Sequence, residues 1–312
     1  CARPCSASHA TLSLPQLHPL EVARQLTLLD VELLPDIVEA SLAFERRSKS
    51  ARPPPREPAA RLAVATRGGG STLTFDKSDV AAAGGGAAPK DDGKGLPATL
   101  QAAVTQFNTV SYWAATELLT LPRVDDRVAR LRLIIEVAVH LEQLHNYQSL
   151  FAIVSGFHLS SVNRLKHTWR ELRSHHKHDH KTLQRLITLC APEKNYHNYR
   201  RTLAAAVRDG QACVPYVGVF LQDAVHVADA MPDTVPHPNG TDKLVNFEKF
   251  RLLARIFGGV IALRRLAQLR VVFKVVPEVR AYLVDYSLLS DDALYALSLQ
   301  VEPRDATPAS IA

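Results

Sequence analysis

Apolar residues recur with the period of an α-helix along most of the chain, and this pattern constrains the fold more than any other feature. Between residues 124 and 145 they occupy one helix face, at Val128, Leu131, Ile134, Ile135, Ala138, Leu141 and Leu144. Similar patterns predict helices over 17–43, 98–120, 147–157, 179–190, 193–208, 212–230, 243–268, 277–286 and 291–298. Alternation with period two is nearly absent apart from VVFKVV at 271–276. The sequence therefore predicts an all-α fold.

Two segments are more apolar than a single core-facing stripe requires. Residues 214–228 and 244–266 carry apolar side chains around much of the helix circumference. They are joined by MPDTVPHPNGTD, whose prolines and Gly240 prevent a continuous helix. We expect an antiparallel helical hairpin over 214–266. Either the hairpin is deeply buried or its tip meets a partner, and the pattern alone favours burial.

The composition changes between residues 48 and 97. This stretch contains SARPPPREPAA, RGGGS and AAAGGGAAPKDDGKG, with few large apolar residues. Such a segment cannot bury enough surface to offset the entropy lost on ordering. We therefore predict a flexible insert at 48–97 within a domain spanning 16–304. A loose segment is expected at 1–15 and a tail at 305–312.

The charge pattern argues against some partners. The formal net charge is +6, but the basic residues are dispersed among acids and are not interleaved with aromatic residues. Nucleic-acid binding is therefore disfavoured, whereas an acidic protein patch or a nearby anionic membrane surface is compatible with the charge. No apolar run approaches the roughly 18 residues of a membrane span, so direct membrane insertion is not expected.

The cysteines and the first residue bear on the cellular setting. Cys1, Cys5, Cys190 and Cys213 contain no CxxC pair and are too few for a disulfide framework. We interpret them as reduced thiols of a cytoplasmic protein. Because the sequence begins at Cys1 rather than Met, we expect a fragment of a longer protein.

Motifs of covalent chemistry and of nucleotide binding are incomplete. Gly93-Lys94 suggests a phosphate-binding loop, but position 88 is Ala and position 95 is Gly, so GxxxxGK[ST] is not satisfied. The histidine-rich SHHKHDHK at 174–181 is interpreted as a solvated loop between two helices rather than as a metal site. We expect no bound nucleotide, no metal, no cofactor and no covalent catalysis.

Eight blocks in order resemble the catalytic domain of Ras-family guanine-nucleotide exchange factors. They are HPLEVARQLTLLD (18–30), FNTVSYWAATELL (107–119), LHNYQSLFAIVSGF (144–157), SVNRLKHTW (161–169), NYHNYRRTL (195–203), CVPYVGVFLQD (213–223), LVNFEKFRLLA (244–254) and LYALSLQVEPR (294–304). Each block alone is an ordinary apolar helix pattern, but the ordered set is specific. The details are most similar to the Ras- and Rap-directed branches.

The resemblance implies a helical bowl with a protruding helical hairpin. This amends the buried interpretation of residues 214–266: the base would pack on the bowl and the tip would face a Ras-like small GTPase of Ras or Rap type. The expected function is to promote GDP release so that GTP can load, by binding energy alone. Recruitment to a membrane would depend on parts of the parent protein outside this sequence.

The resemblance also implies roles for individual residues. Val225 and Asp229 match the positions that disturb the magnesium and phosphate sites of the GTPase. Five residues match the surface that contacts the second switch segment of the GTPase, namely Tyr216, Phe151, Phe157, Tyr199 and Asn198. Arg164 and Asn246 match positions that tie the hairpin base to the bowl.

Simpler interpretations remain open for these residues. Without the resemblance, Tyr216, Phe151 and Phe157 would be assigned to the core, Arg164 to a structural ion pair and Asp229 to an ordinary exposed helix. Val225 and Asp229 are also shorter than the pair usual in the family. The alternative function is therefore a degenerate exchanger that acts as a GTPase-binding scaffold, and a further alternative is an unrelated helical scaffold.

Overall fold

The computed structural model describes residues 13–50, 98–240 and 243–304, and these ranges are almost entirely helical. The α-helices are α1 (Pro19–Ser50), α2 (Ala98–Leu119), α3 (Val124–Gln143), α4 (Tyr147–His158), α5 (Ser160–Asn163), α6 (Lys166–His175), α7 (Lys177–Cys190), α8 (Glu193–Arg208), α9 (Val217–Ala230), α10 (Phe247–Arg270), α11 (Pro277–Val284) and α12 (Asp291–Val301). A 3-10 helix (Leu14–Gln16) precedes them, and two short strands, β1 (Thr234–Pro236) and β2 (Lys243–Val245), separate α9 from α10. The all-α prediction is confirmed.

The main core forms where α1, α2, α3 and α4 pack on one another. Helices α2 and α4 approach so closely that a Cβ atom at Gly156 would lie 2.6 Å from the carbonyl oxygen of Ser111. The hydroxyl of Ser111 donates to the carbonyl of Ala152 over 2.7 Å across the same interface. Glycine is therefore required at position 156 by the contact and not by the helix itself.

A buried carboxyl group links α1 to α4. Asn146 donates from Nδ2 to Asp30 Oδ2 over 2.8 Å, and the Ser149 hydroxyl donates to the same oxygen. Asn146 also caps α4, because its Oδ1 accepts from the backbone N–H of Ser149 over 3.2 Å. Burial raises the pKa of Asp30 to about 6, although both donors favour the ionised form.

The C-terminal helix is fixed by a second buried polar cluster. The Glu302 carboxylate accepts from the backbone N–H groups of His167 and Thr168 over 3.0 and 2.9 Å, at the start of α6. Arg127 is fully buried and donates to the same carboxylate over 3.3 Å and to the Thr168 hydroxyl over 3.0 Å. This ion pair therefore joins α3, α6 and the end of α12.

Arg164 belongs to that C-terminal attachment and not to the hairpin. Its Nη1 donates to the carbonyl oxygen of Ser298 and, over 3.3 Å, to the Ser298 hydroxyl. The prediction that Arg164 ties the hairpin base to the body is corrected. Its partner on α12 is 134 residues further along the chain, so local sequence gives no sign of it.

The hairpin predicted at 214–266 is present as the antiparallel pair α9 and α10. Near its base, Val219 and Leu263 belong to the main core. Further out, Ala224, Leu253 and Phe257 form a separate apolar cluster. The inner part of the hairpin therefore belongs to the body, whereas its outer part is stabilised by contacts between its own two helices.

The short strands lie at the hairpin tip and not at 271–276, where the sequence shows its one stretch of period-two alternation. Strands β1 and β2 are antiparallel, with Val235 opposite Leu244. Residues 271–276, which hold VVFKVV, form neither helix nor strand. Helix α9 also begins at Val217 rather than near residue 212, because Tyr216 has an extended backbone at the entry to the hairpin.

The histidine-rich stretch is helical apart from one residue. His175 ends α6, His176 separates the two helices, and the remaining histidines lie in the first turns of α7. The loop interpretation is therefore wrong. Leu172 of α6 and Leu183 of α7 are buried, so one side of each helix packs on the body. This packing stabilises the helices, including the polar residues between the two leucines.

The predicted N-terminal segment at 1–15 includes an ordered part. Leu14 begins the 3-10 helix, is 1% exposed and belongs to the main core. The prediction of a loose segment is therefore wrong for residues 13–15, because burial of Leu14 anchors them. Residues 1–12 lie outside the described part of the chain.

Most of the predicted insert also lies outside the described residues. Helix α1 continues to Ser50, so the first three residues of the 48–97 segment are helical. Residues 51–97, which include Gly93-Lys94, and the tail at 305–312 are not described. Among the helices that the structure describes, none is both long enough and apolar enough to cross a membrane.

The pKa of Asp30 generates a test by pH. The carboxyl titrates near 3.8 when unfolded and near 6 when folded, so the native state binds the extra proton between these values. The contribution of Asp30 to stability is complete below about pH 4 and falls, by roughly 3 kcal/mol in total, as the pH rises through 6. We expect Asp30→Asn to remove this fall, measured as the unfolding free energy in urea at pH 4.5 and 7. A difference between wild type and variant that does not change with pH would contradict this assignment.

Two adjacent glycines of α10 generate a test of stability. A Cβ atom at Gly258 or Gly259 would meet no atom within 4 Å outside the local helix backbone. Since glycine destabilises a helix interior, Gly258→Ala and Gly259→Ala should each raise the unfolding free energy by about 0.5–1 kcal/mol. Gly156→Ala is the matched contrast and should lower it. Destabilisation by the α10 variants in urea denaturation would disprove the expectation.

Candidate functional site

The outer face of α9 carries the two residues that the sequence places at the centre of the site. Val225 and Asp229 are one helical turn apart, so they lie on the same side of the helix. Val225 is 38% exposed and Asp229 is also exposed. Among the described residues, none forms a hydrogen bond or ion pair with the Asp229 carboxylate. The structure therefore brings this apolar side chain and this carboxylate together on a face open to a partner.

The opposite face of α9 explains why this strip stays exposed. Val217 packs near the hairpin base, and Ala224 packs in the outer apolar cluster against Leu253 and Phe257. Asp223, beside these positions, pairs with Arg200 of α8. The apolar side of α9 is thus used within the protein, and Val225 is left on the other side.

A buried lysine determines the geometry of the hairpin tip. Lys249 is 2% exposed, and its ammonium donates to the carbonyl oxygens of Ala228 and Met231 over 2.7 and 2.5 Å. It also pairs with Asp233 over 2.9 Å. These bonds satisfy carbonyls at the C-terminal end of α9, where the helix has no further N–H donors of its own. The sequence reasoning missed this residue, because the pattern alone gives a lysine no reason to be buried.

Asn246 completes the same tip and does not lie at the base. Its Oδ1 accepts from the backbone N–H of Lys249 over 3.3 Å, which caps α10. Its Nδ2 donates to the carbonyl of Pro232 over 2.9 Å, and its backbone N–H donates to that of Asp233 over 2.8 Å. The prediction that Asn246 ties the hairpin base to the body is corrected: it joins the two arms at their outer end.

The tip also presents apolar side chains to solvent. Phe247 is 76% exposed and Val245 is 66% exposed, although both flank the well-bonded Asn246. Large apolar side chains held at a rigid and exposed position are typical of protein-contact surfaces. These residues were not among the predicted contacts, although LVNF at 244–247 lies within a block that the resemblance uses.

The aromatic residues expected to line a second-switch surface are buried instead. Tyr216, Phe151, Phe157 and Tyr199 are at most 3% exposed. The rings of Tyr216 and Phe151 are stacked with centroids 4.2 Å apart, and Tyr199 meets Phe151 edge-on at 5.1 Å. The expected exposure is therefore corrected, and the core interpretation holds in this conformation. Burial also raises the pKa of the Tyr199 and Tyr216 hydroxyls far above the usual range.

These buried rings position the start of α9. The backbone N–H of Tyr216 donates to the Tyr199 hydroxyl over 2.8 Å, and that of Val217 donates to Gln148 Oε1 over 3.1 Å. N–H groups at a helix start have no partner within the helix, so two side chains of the body satisfy them here. Tyr199 and Gln148 therefore support the hairpin base, the role expected of Arg164 and Asn246.

The two remaining predicted contact residues differ in position. Phe157 packs edge-on against Trp169, with ring centroids 6.3 Å apart, in the part of the body near α6. Asn198 is half-buried on α8 and donates to the carbonyl of Thr188 over 3.1 Å. Of the five predicted contacts, only Asn198 has an appreciable surface in this conformation, and its contact with a partner remains a prediction.

The chemistry available on the hairpin is that of binding. Its outer face combines an aliphatic side chain, an imidazole and a carboxylate, at Val225, His226 and Asp229. Within the described ranges, no group of three or more His, Cys, Asp or Glu side chains is arranged to hold a metal ion. Cys190 and Cys213 are free thiols buried in the body. The face is suited to pressing an apolar group and a negative charge against another molecule.

Comparison with known proteins relates this arrangement to one domain family. A family model described as the RasGEF domain matches residues 21–251, which include α9 and the hairpin tip. The chain is similar to three proteins of Dictyostelium discoideum. Ras guanine nucleotide exchange factor Q is 28% identical over 304 residues, covering 97% of this chain and 19% of that protein. Ras guanine nucleotide exchange factor K is 32% identical over 214 residues, covering 68% and 13%. Ras guanine nucleotide exchange factor M is 29% identical over 204 residues, covering 65% and 21%. The chain thus spans about a fifth or less of the length of these relatives.

The buried lysine at the tip generates a test of hairpin integrity. Lys249→Met retains the apolar stem but leaves the carbonyls of Ala228 and Met231 without their donor. We expect the unfolding free energy to fall by about 2–3 kcal/mol, measured by urea denaturation. Lys243→Met is the matched control, because Lys243 is exposed on β2 at the same tip. Equal unfolding free energies for the two variants would refute the capping role.

Proposed function

Since this chain belongs to the RasGEF domain family, we propose that it is a guanine-nucleotide exchange factor that binds a Ras-like small GTPase and promotes GDP release. One observation carries the proposal beyond family membership. Val225 and Asp229 lie together on the exposed face of a helical hairpin whose outer half is held by its own contacts. Such a hairpin can enter a partner without loss of the main core.

The energetic requirement of exchange explains why rigidity matters. A nucleotide held with a picomolar dissociation constant is bound by about 16 kcal/mol. Accelerating its release ten-thousandfold requires roughly 5.5 kcal/mol of additional stabilisation of the release transition state. Binding energy supplies this only if the element that deforms the GTPase does not deform instead. Lys249 at the tip and Tyr199 at the base hold α9 at both ends.

We assign separate roles to the two exposed residues of α9. Val225 presses toward the site where the GTPase holds its magnesium ion. Asp229 accepts hydrogen bonds from the phosphate-binding loop of the emptied GTPase and repels the phosphates of the nucleotide. The exchanger and the nucleotide therefore weaken each other's binding, and returning nucleotide displaces the exchanger.

The partner is proposed to be of the Ras or Rap type, and the setting cytoplasmic. Recruitment to a membrane is assigned to parts of the longer protein outside this chain. The relatives' names specify Ras exchange, and the resemblance of the sequence blocks extends to Rap-directed exchangers.

A second candidate function is GTPase binding without exchange. Val225 is a short side chain and is only 38% exposed, so its reach into a partner is limited. Mixing the protein with Ras- and Rap-type GTPases loaded with fluorescent GDP, with excess GTP, separates the possibilities. Accelerated signal loss supports exchange, binding without acceleration supports a scaffold, and no binding disproves both.

Asp229 provides the sharpest single-residue test. Asp229→Ala should slow nucleotide release about tenfold, because a charge-assisted contact is lost only in the complex. It should change the unfolding free energy by less than about 0.5 kcal/mol, because this exposed carboxylate has no partner among the described residues. Asp285→Ala, at an exposed aspartate outside the hairpin, is the control with unchanged exchange. If Asp229→Ala releases nucleotide as fast as wild type, the proposed role is wrong.

A further inference from the structure

The start of α8 contains an unusual backbone conformation. Lys194, Asn195 and Tyr196 have φ angles of 51°, 55° and 56°, with ψ angles of 44°, 55° and 39°. Three consecutive residues therefore lie in the left-handed helical region, which the Cβ atom makes unfavourable. Glycine adopts it freely and asparagine does so as a single residue, but Lys194 and Tyr196 belong to neither class. A turn of this kind persists only where surrounding contacts enforce it.

Two side chains enforce the turn. Tyr196 is 3% exposed, and its ring lies 6.0 Å from that of Phe151 and 6.4 Å from that of Tyr216, measured between centroids. Arg200, one turn further along α8, donates from Nε to the carbonyl oxygen of Asn195 over 2.8 Å and from Nη2 to its Oδ1 over 3.2 Å. The turn is thus held from the core side by a ring and from the outer side by a guanidinium.

The guanidinium of Arg200 also binds Asp223 of the hairpin. Arg200 Nη1 and Nη2 donate to Asp223 Oδ2 and Oδ1 over 2.8 and 2.9 Å, which is a two-bond fork on one carboxylate. Both side chains are partly buried, with 33% and 23% exposed. Within the described part of the chain, this is the one ion pair that joins α9 to the helical body. Only a planar guanidinium has enough donors to hold both partners at once.

The position of Asp223 on α9 allows the ion pair to affect the orientation of Val225 and Asp229. Asp223 lies on α9 between the supported base at Val217 and the outer cluster that begins at Ala224. Val225 follows two residues later and Asp229 six residues later. A change in the distance between α8 and α9 at this point would tilt both exposed side chains relative to the body.

We propose that Arg200 is a positioning residue for exchange, which sets the tilt of α9 by clamping Asp223 to the left-handed turn at 194–196. The inference rests on the proposed function, because the residues that it positions are Val225 and Asp229. Loss of Arg200 removes a hydrogen-bond donor from the strained turn and from Asp223. Loss of Asp223 leaves Arg200 bonded to the turn but separates it from α9. In either case α9 loses its fixed orientation.

The first experiment tests the clamp in the free protein by amide hydrogen exchange. Arg200→Lys keeps the charge but cannot form the fork, and Asp223→Asn keeps the shape but removes the charge. Both should speed exchange of the amides of α9 by about threefold or more, with those of α3 unchanged. Arg132→Lys is the matched control. It alters the ion pair between Arg132 on α3 and Asp179 on α7, which is a single contact and not a fork. It should leave the hydrogen exchange of the α9 amides unchanged. Unaltered exchange of α9 in folded Arg200→Lys would overturn the clamp.

The second experiment tests positioning through kinetics on fluorescent-GDP-loaded GTPase. A tilted hairpin still meets the GTPase but deforms it less, so Arg200→Lys should lower kcat about tenfold with KM within about twofold. Asp223→Glu retains a carboxylate, so its kcat should lie between those of Arg200→Lys and wild type. Arg132→Lys should have the kcat of wild type. A rise in KM at constant kcat, or faster hydrogen exchange of α9 with normal kcat, would reject the positioning role. If the wild-type protein does not accelerate nucleotide exchange, both the proposed function and this positioning role are wrong. The amide hydrogen-exchange result would still decide whether the clamp exists.

Discussion

The stack of Tyr216 on Phe151 is the contact on which the arrangement of the hairpin depends. The two rings lie 4.2 Å apart within the main core, and Tyr199 meets Phe151 from the side. Because Tyr216 is the residue immediately before α9, burial of its ring fixes the point from which the hairpin leaves the body. The backbone hydrogen bond from Tyr216 to the Tyr199 hydroxyl then sets the direction of departure. Aromatic burial and helix capping act here on the same residue.

From this fixed base, the hairpin extends as an element that stabilises itself. Ala224, Leu253 and Phe257 form an apolar cluster between its two arms, and Lys249 closes the outer end of α9. An element built in this way can expose Val225 without losing its own stability. This property suits a protein that deforms its partner by binding. Binding energy can distort the partner only if the hairpin does not deform in its place.

The sequence predicted the hairpin, because the helical repeat is a local property, and the resemblance singled out Val225 and Asp229, which are one helical turn apart. It failed for Asn246 and Arg164, since the partner of each is fixed by the fold: Asn246 joins the arms at the tip, and Arg164 bonds to α12. The resemblance assigned a role to each residue but could not give its contacts. Lys249 was missed because its burial requires the carbonyls of α9 to converge on it.

The sequence by itself determined most of the helical segments, where the two arms of the hairpin lie and which residues share a face of α9. These properties follow from the helical repeat and from proline and glycine, which act over a few residues. Only the tertiary structure decided that Tyr216 and Phe151 are core, that Lys249 is buried and that Arg200 bridges a left-handed turn to Asp223. An apolar or charged side chain has the same sequence signature at a surface as in an interior. Its burial depends on neighbours that the fold brings together from distant parts of the chain.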